Sequence, residues 1–98
     1  MSEISAGTSV IDVPSRQAFE ARTSDGEVAG YASYSRSGEV VTFTHTVVEE
    51  KFRGRHVGDQ LARVALEQVR NEGLRVNPEC SFVADYIDRN EEFQDLLA

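Results

Sequence analysis

The first half of the chain alternates hydrophobic and polar positions with a period of two, and the second half switches to a period near 3.6. Residues 17–23 predict a short strand with Phe19 and Ala21 on one face. Ser24-Asp25-Gly26-Glu27 predicts a hairpin turn, because Asp-Gly supplies the positive φ that tight hairpins need. Residues 28–35 form a second strand, in whose interior Gly30 marks a bulge or a close backbone approach. Arg36-Ser37-Gly38-Glu39 then turns the chain into a β-branched third strand over residues 40–48. Two short turns in succession make a three-stranded antiparallel meander.

The period then changes. Leu61, Ala62, Val64, Ala65, Leu66 and Val69 recur at helical spacing, with Arg63, Glu67 and Arg70 facing outward. Gly73 suits a left-handed helix end, and Leu74-Arg75-Val76 is a brief strand stopped by Asn77-Pro78. A strand, a crossover helix and another strand wind right-handedly, so this strand lies parallel to the third. Ser81 or a neighbour starts a last helix carrying Phe82, Val83, Tyr86 and Ile87; Asn90 interrupts it, and Phe93, Leu96 and Leu97 form a closing turn. The predicted order is βββαβα, an α/β domain.

Ninety-eight residues make one domain. Residues 1–15 are polar and small, carry Pro14 and read as a flexible tail, with residues 10–13 able to lie against the body; residues 16–98 are the domain. No apolar run approaches the roughly twenty residues that span a bilayer. The N-terminus lacks the basic start and apolar stretch of a signal peptide. The single cysteine forms no internal disulfide, which together with these features points to a cytoplasmic location. A net charge of −7 argues against a nucleic-acid binder working through a broad basic face.

That charge makes one stretch conspicuous. Against seventeen Asp plus Glu the chain has ten Lys plus Arg, yet Lys51, Arg53 and Arg55 crowd together just before the first helix. The loop Arg53-Gly54-Arg55-His56-Val57-Gly58 opens onto a helix N-terminus, whose unpaired N–H groups and positive dipole end suit a phosphate. On the residues alone, His45 shares a strand face with Val41, Phe43 and Val47 and reads as a hydrogen-bonded core histidine. Cys80 alone reads as a small buried hydrophobe.

The strand, this loop and the helix after it resemble the acetyl-CoA motif of the GNAT acyltransferase superfamily, where Gln or Arg, two residues, Gly, one residue, then Gly or Ala is usual. Arg53 and Gly58 match the outer positions, and His56 replaces the middle glycine. Pro78-Glu79-Cys80-Ser81-Phe82 and Tyr86-Ile87 narrow the likeness to the short single-domain acetyltransferase-like subfamily, over residues 17–97. The resemblance implies an acetyl-CoA-binding N-acetyltransferase. Arg53, Gly54, Arg55, His56, Val57, Gly58 and Asp59 would hold the phosphates, and the backbone of Val47 and Val48 would pair with the pantetheine amides. The Asp59 side chain is expected to turn away from the phosphates. His45, Cys80 and Tyr86 are the candidate catalytic residues. His45 would serve as base, Cys80 as a thiolate activated by His45 and by the helix start, and Tyr86 as the acid that protonates the departing thiolate. Direct attack by the amine and an acetyl-Cys80 intermediate both remain open. The acidic surface favours a cationic acceptor, such as a lysine side chain or a small amine. The rival reading is a non-catalytic acyl-CoA sensor or adaptor.

Overall fold

The computed structural model describes residues 8–98. Its elements are β1 (Thr8–Val13), β2 (Ala18–Thr23), β3 (Val28–Ser37), β4 (Val40–Val48), α1 (Val57–Asn71), β5 (Arg75–Pro78) and α2 (Ser81–Arg89). Short 3₁₀ segments lie at Pro14–Arg16, Glu50–Phe52 and Glu91–Leu96. The strands build one sheet in the order β1-β2-β3-β4-β5, antiparallel up to β4 and parallel between β4 and β5. The expected α/β meander, crossover helix and parallel strand are all present.

The N-terminal reading needs one correction. Residues 8–13, read as part of a tail, are an edge strand in full register with β2, from Thr8 opposite Thr23 to Val13 opposite Ala18. Val10 packs on the core, and Gln60 of α1 donates to the Thr8 carbonyl at 2.8 Å, so this strand is tied to sheet and helix alike. Residues 1–7 of the expected tail lie outside the described residues.

One continuous apolar cluster holds the fold. Phe19, Ala32, Val41, Phe43 and Val76 of the sheet meet Leu61, Ala65, Leu66 and Val69 of α1, Val83 and Ile87 of α2, and Phe93 and Leu96 of the closing turn. α1 ends at Gly73 (φ +71°), where the Leu74 N–H returns to the Val69 carbonyl and so satisfies one of the last helical acceptors. Gly30 is a place of close approach: a Cβ there would stand 2.7 Å from the Val47 carbonyl oxygen.

A bulge at Thr44 decides what β4 presents. Phe43 pairs with Tyr34 but His45 with Ser33, so Thr44 is an extra residue on β4 and the alternation shifts by one beyond it. Val41 and Phe43 point into the core, whereas His45 and Val47 emerge exposed on the opposite face. Thr46 and Val48 take the helix side in their place. The expectation of one shared face for Val41, Phe43, His45 and Val47 therefore fails at Thr44.

Among the described residues, no helix is long and apolar enough to cross a membrane, and no group of His, Cys, Asp and Glu could hold a metal ion.

Candidate functional site

β4 and β5 part company early. Their parallel register runs from Val40 opposite Arg75 to Phe43 opposite Pro78, and the Cys80 N–H closes the fork by donating to the Phe43 carbonyl at 2.8 Å. β4 continues to Val48 without β5, still paired with β3. The Glu49 N–H donates to Ala29 of β3, so by strand alternation Val47 also turns its backbone to β3, while Thr46 and Val48 turn theirs into the fork. Of the two valines named from the sequence, Val48 is the one with backbone groups on the open side.

The fork leads to the start of α1. The first helical bond there runs from the Gln60 N–H to the His56 carbonyl at 3.0 Å, and no side chain caps the helix. The N–H groups of Val57, Gly58 and Asp59 thus have no intrahelical acceptor and lie at the positive end of a fifteen-residue dipole. They border a cleft of about 260 Å³ lined also by Val48, Phe52, Arg53 and Phe82. Arg53 donates through Nε to the Val48 carbonyl at 3.4 Å, which ties the loop to the fork. Lys51 is drawn into an ion pair with Glu27 of the β2–β3 turn, so Arg53, which lines the cleft, is the cation the loop keeps there. Arg55 lies over the Phe52 ring at 5.9 Å.

His56 holds the N-cap position with φ +63° and ψ +23°. This left-handed conformation is costly for a residue with a Cβ, and it explains why a glycine is the usual choice at this point of the motif. Gly54 is left-handed too, at φ +82°. Asp59 lies between His56 Nδ1 at 3.7 Å and Arg89 at 3.9 Å, and it borders the cleft rather than turning wholly away.

The three catalytic candidates do not form one cluster. Cys80 is the residue before α2, 8% exposed, with Sγ 3.3 Å from Thr46 Oγ1 at the base of the fork. His45 stands exposed on the other face of β4, its Nδ1 3.1 Å from Thr44 Oγ1. The His45–Cys80 pairing expected from the sequence is therefore replaced by Thr46–Cys80, because the bulge exchanges which neighbour faces the thiol. Tyr86 is buried between α1 and α2; burial, with Asp59 nearby, pushes its hydroxyl pKa up against the opposing pull of Arg63. That keeps the hydroxyl protonated, and its charged neighbours are in the helix groove rather than at the Cys80 thiol.

Two residues escaped the sequence reading. Thr46 looked like one more polar position of a strand, and only the extra residue at Thr44 reveals its direction. Phe82, taken as an ordinary apolar position, packs on Gly58 and forms one wall of the cleft.

Comparison with known proteins bears on this arrangement. Residues 18–96 match the family model described as GCN5-related N-acetyl-transferase. Among solved structures, a GCN5-like protein from Staphylococcus aureus, determined by NMR in solution, matches with a TM-score of 0.72 at 18% identity, over 94% of this chain and 89% of its own. At that identity the likeness is one of fold. No curated protein matches the chain.

Proposed function

Since the chain belongs to the GCN5-related N-acetyltransferase family, we propose that it transfers an acetyl group from acetyl-CoA to an amine, with the β4–β5 fork and the start of α1 as the donor site. The observation that carries this reading is the unpaired edge of β4 beyond Phe43, which runs to an uncapped helix start beside Arg53. The residues fit the donor: an open strand edge suits the pantetheine amides, and free N–H groups with nearby guanidinium charge suit a diphosphate. Acetyl-CoA supplies an activated thioester.

The chain's own residues then divide the work. N–H groups from Val57 to Asp59 bind the phosphates, helped by Arg53, Gly54, Arg55 and His56 around them. Val48 aligns the donor along β4. The Thr46 N–H, aimed into the fork, holds the thioester oxygen as an oxyanion hole does. His45, on the face opposite the helices, takes the proton the amine sheds as its C–N bond forms and the C–S bond breaks. Cys80 at the base of the fork is the other route, accepting the acetyl group on Sγ before the amine does. The acceptor is an amine that arrives from the His45 face, and the net charge of −7 favours a cationic one, such as a lysine side chain.

A second reading has its own support. His45 and Cys80 lie on opposite faces of β4, which suits an acyl-CoA-binding module without turnover. Calorimetric titration with acetyl-CoA, followed by turnover assays against a panel of amines, separates the two. Binding with turnover that is lost in His45→Ala supports the enzyme. Binding with no turnover on any amine supports the module, and no binding sinks both.

A further inference from the structure

In a regular strand, adjacent side chains leave on opposite faces and do not touch. Thr44 and His45 depart from that rule, with Thr44 Oγ1 lying 3.1 Å from His45 Nδ1. The bulge between the Phe43–Tyr34 and His45–Ser33 pairs supplies the reason: it inserts Thr44 as an extra residue and lets two neighbours share one face. The Thr44 hydroxyl also donates to the Ser33 carbonyl, at 3.5 Å. Ser33 is the residue that pairs with His45, so both contacts sit within the bulge itself.

A carbonyl oxygen only accepts. A hydroxyl that commits its one hydrogen to Ser33 meets the imidazole as an acceptor, which calls for a proton on Nδ1. The bond that one ring nitrogen makes sets the state of the other, so Nε2 is left bare. His45 is exposed, and among the described residues its Nε2 has no hydrogen-bond partner. The row of the sheet in which it stands continues through Ser33, Ala18 and Val13, none of them a carboxylate. The acidic group that orients the imidazole of a hydrolytic triad has no counterpart in that row, and Thr44 takes its place.

Resting on the reading of His45 as the base, we infer that Thr44 is its positioning residue, holding the Nδ1–H tautomer and presenting the Nε2 lone pair to the acceptor amine. As the amine nitrogen bonds to the acetyl carbon, its proton passes to Nε2 and the C–S electron pair leaves with the coenzyme A thiolate. The Nδ1–H stays on Thr44 Oγ1 throughout. Because the hydroxyl is neutral, it orients the ring without adding the charge that a carboxylate would bring.

Nitrogen NMR on the isotope-labelled full chain, at about pH 9 where an imidazole is ordinarily neutral, reads the tautomer directly. The His45 signals are those lost in His45→Ala. In the wild type Nδ1 should carry the hydrogen, against the Nε2–H form that free histidine prefers. Thr44→Val, which keeps the β-branched shape, should return the ring to that free preference, and Thr44→Ser should restore Nδ1–H. With acetyl-CoA and an accepted amine, kcat should fall about five- to ten-fold in Thr44→Val, with the KM for acetyl-CoA within about two-fold. Thr44→Ser should recover most of the loss, and Thr44→Val should change nothing further in a His45→Ala background. An Nε2–H ring in the wild type, or a tautomer indifferent to Thr44→Val, would overturn the inference whatever the activity. So would a tautomer that shifts while kcat stays unmoved. An Nδ1–H ring in a protein that acetylates no amine would instead overturn the reading of His45 as base, on which the inference rests.

Discussion

The edge of the Phe82 ring meets Gly58 so closely that a Cβ added at Gly58 would stand 2.7 Å from Cζ and 3.2 Å from both Cε atoms. The glycine therefore serves the docking of α2 on α1 as well as the approach of an anion to the helix start. Gly58→Val should destabilise the fold by about 1–3 kcal/mol through overpacking. In a Phe82→Ala background the same change should cost markedly less, because the ring it collides with is gone. Urea denaturation of the four proteins checks this, and an equal cost in both backgrounds would refute the contact.

His56→Gly should raise stability. The left-handed backbone costs a residue with a Cβ about 1–2 kcal/mol, and glycine's larger unfolded-state entropy returns about half of that, leaving a gain of about 0.5–1 kcal/mol. His56→Val, β-branched at the same φ, should lose stability instead. Denaturation midpoints in the opposite order would show that the positive φ is not a strain on this loop.

Cys80 should answer to Thr46 and not to His45. Alkylation of the thiol is expected to be slow in the folded protein because Sγ is largely covered. Thr46→Val should slow it further, by removing a hydroxyl that can donate to the thiolate. His45→Ala should leave the rate within about two-fold, since that ring lies across the strand. Mass spectrometry of timed iodoacetamide reactions gives the rates. A large drop in His45→Ala would restore the pairing expected from the sequence.

Alkaline stability should hinge on Tyr34. Its hydroxyl donates to Asp12 at 2.7 Å, and burial together with that carboxylate raises its pKa from 10.0 to about 12. The folded state holds the proton more tightly than the unfolded one, so the contribution is complete below pH 10 and is lost as pH climbs towards 12. Tyr34→Phe should flatten the fall in denaturation midpoint across that window. An unchanged slope would place the titration elsewhere.

Much of the fold was readable because its signals are local. Asp25-Gly26 and Ser37-Gly38 announce their turns, and both glycines have positive φ in the structure. The α1 stripe from Leu61 to Val69 and the stop at Gly73 are written in spacing and in a residue without a Cβ. β1 was less legible because one of its partners is distant, Thr8 being held by Gln60, 52 positions away, and because the adjacent Val10 and Ile11 break the simple alternation of a strand. The loop of the candidate site was visible through its charge and glycines. The disposition of His45, Thr46 and Cys80 was not, since the bulge at Thr44 has no signature of its own and depends on how β3 and β4 seat together.

Thr44 acts as a phase step in an otherwise regular wave. Ahead of it the odd-numbered residues of β4 build the interior, and after it the even-numbered ones do, so one strand serves first as a wall of the core and then as a rail for a ligand. Pairing Thr44 in line with β3, with no bulge, would restore an unbroken wave. It would drive the imidazole of His45 inward, swing Thr46 away from the Cys80 thiol and turn the Val48 carbonyl out of reach of Arg53. The sheet could still close, but its reactive edge would be inverted, which makes the bulge in this strand, as much as side-chain chemistry, the variable on which the site depends.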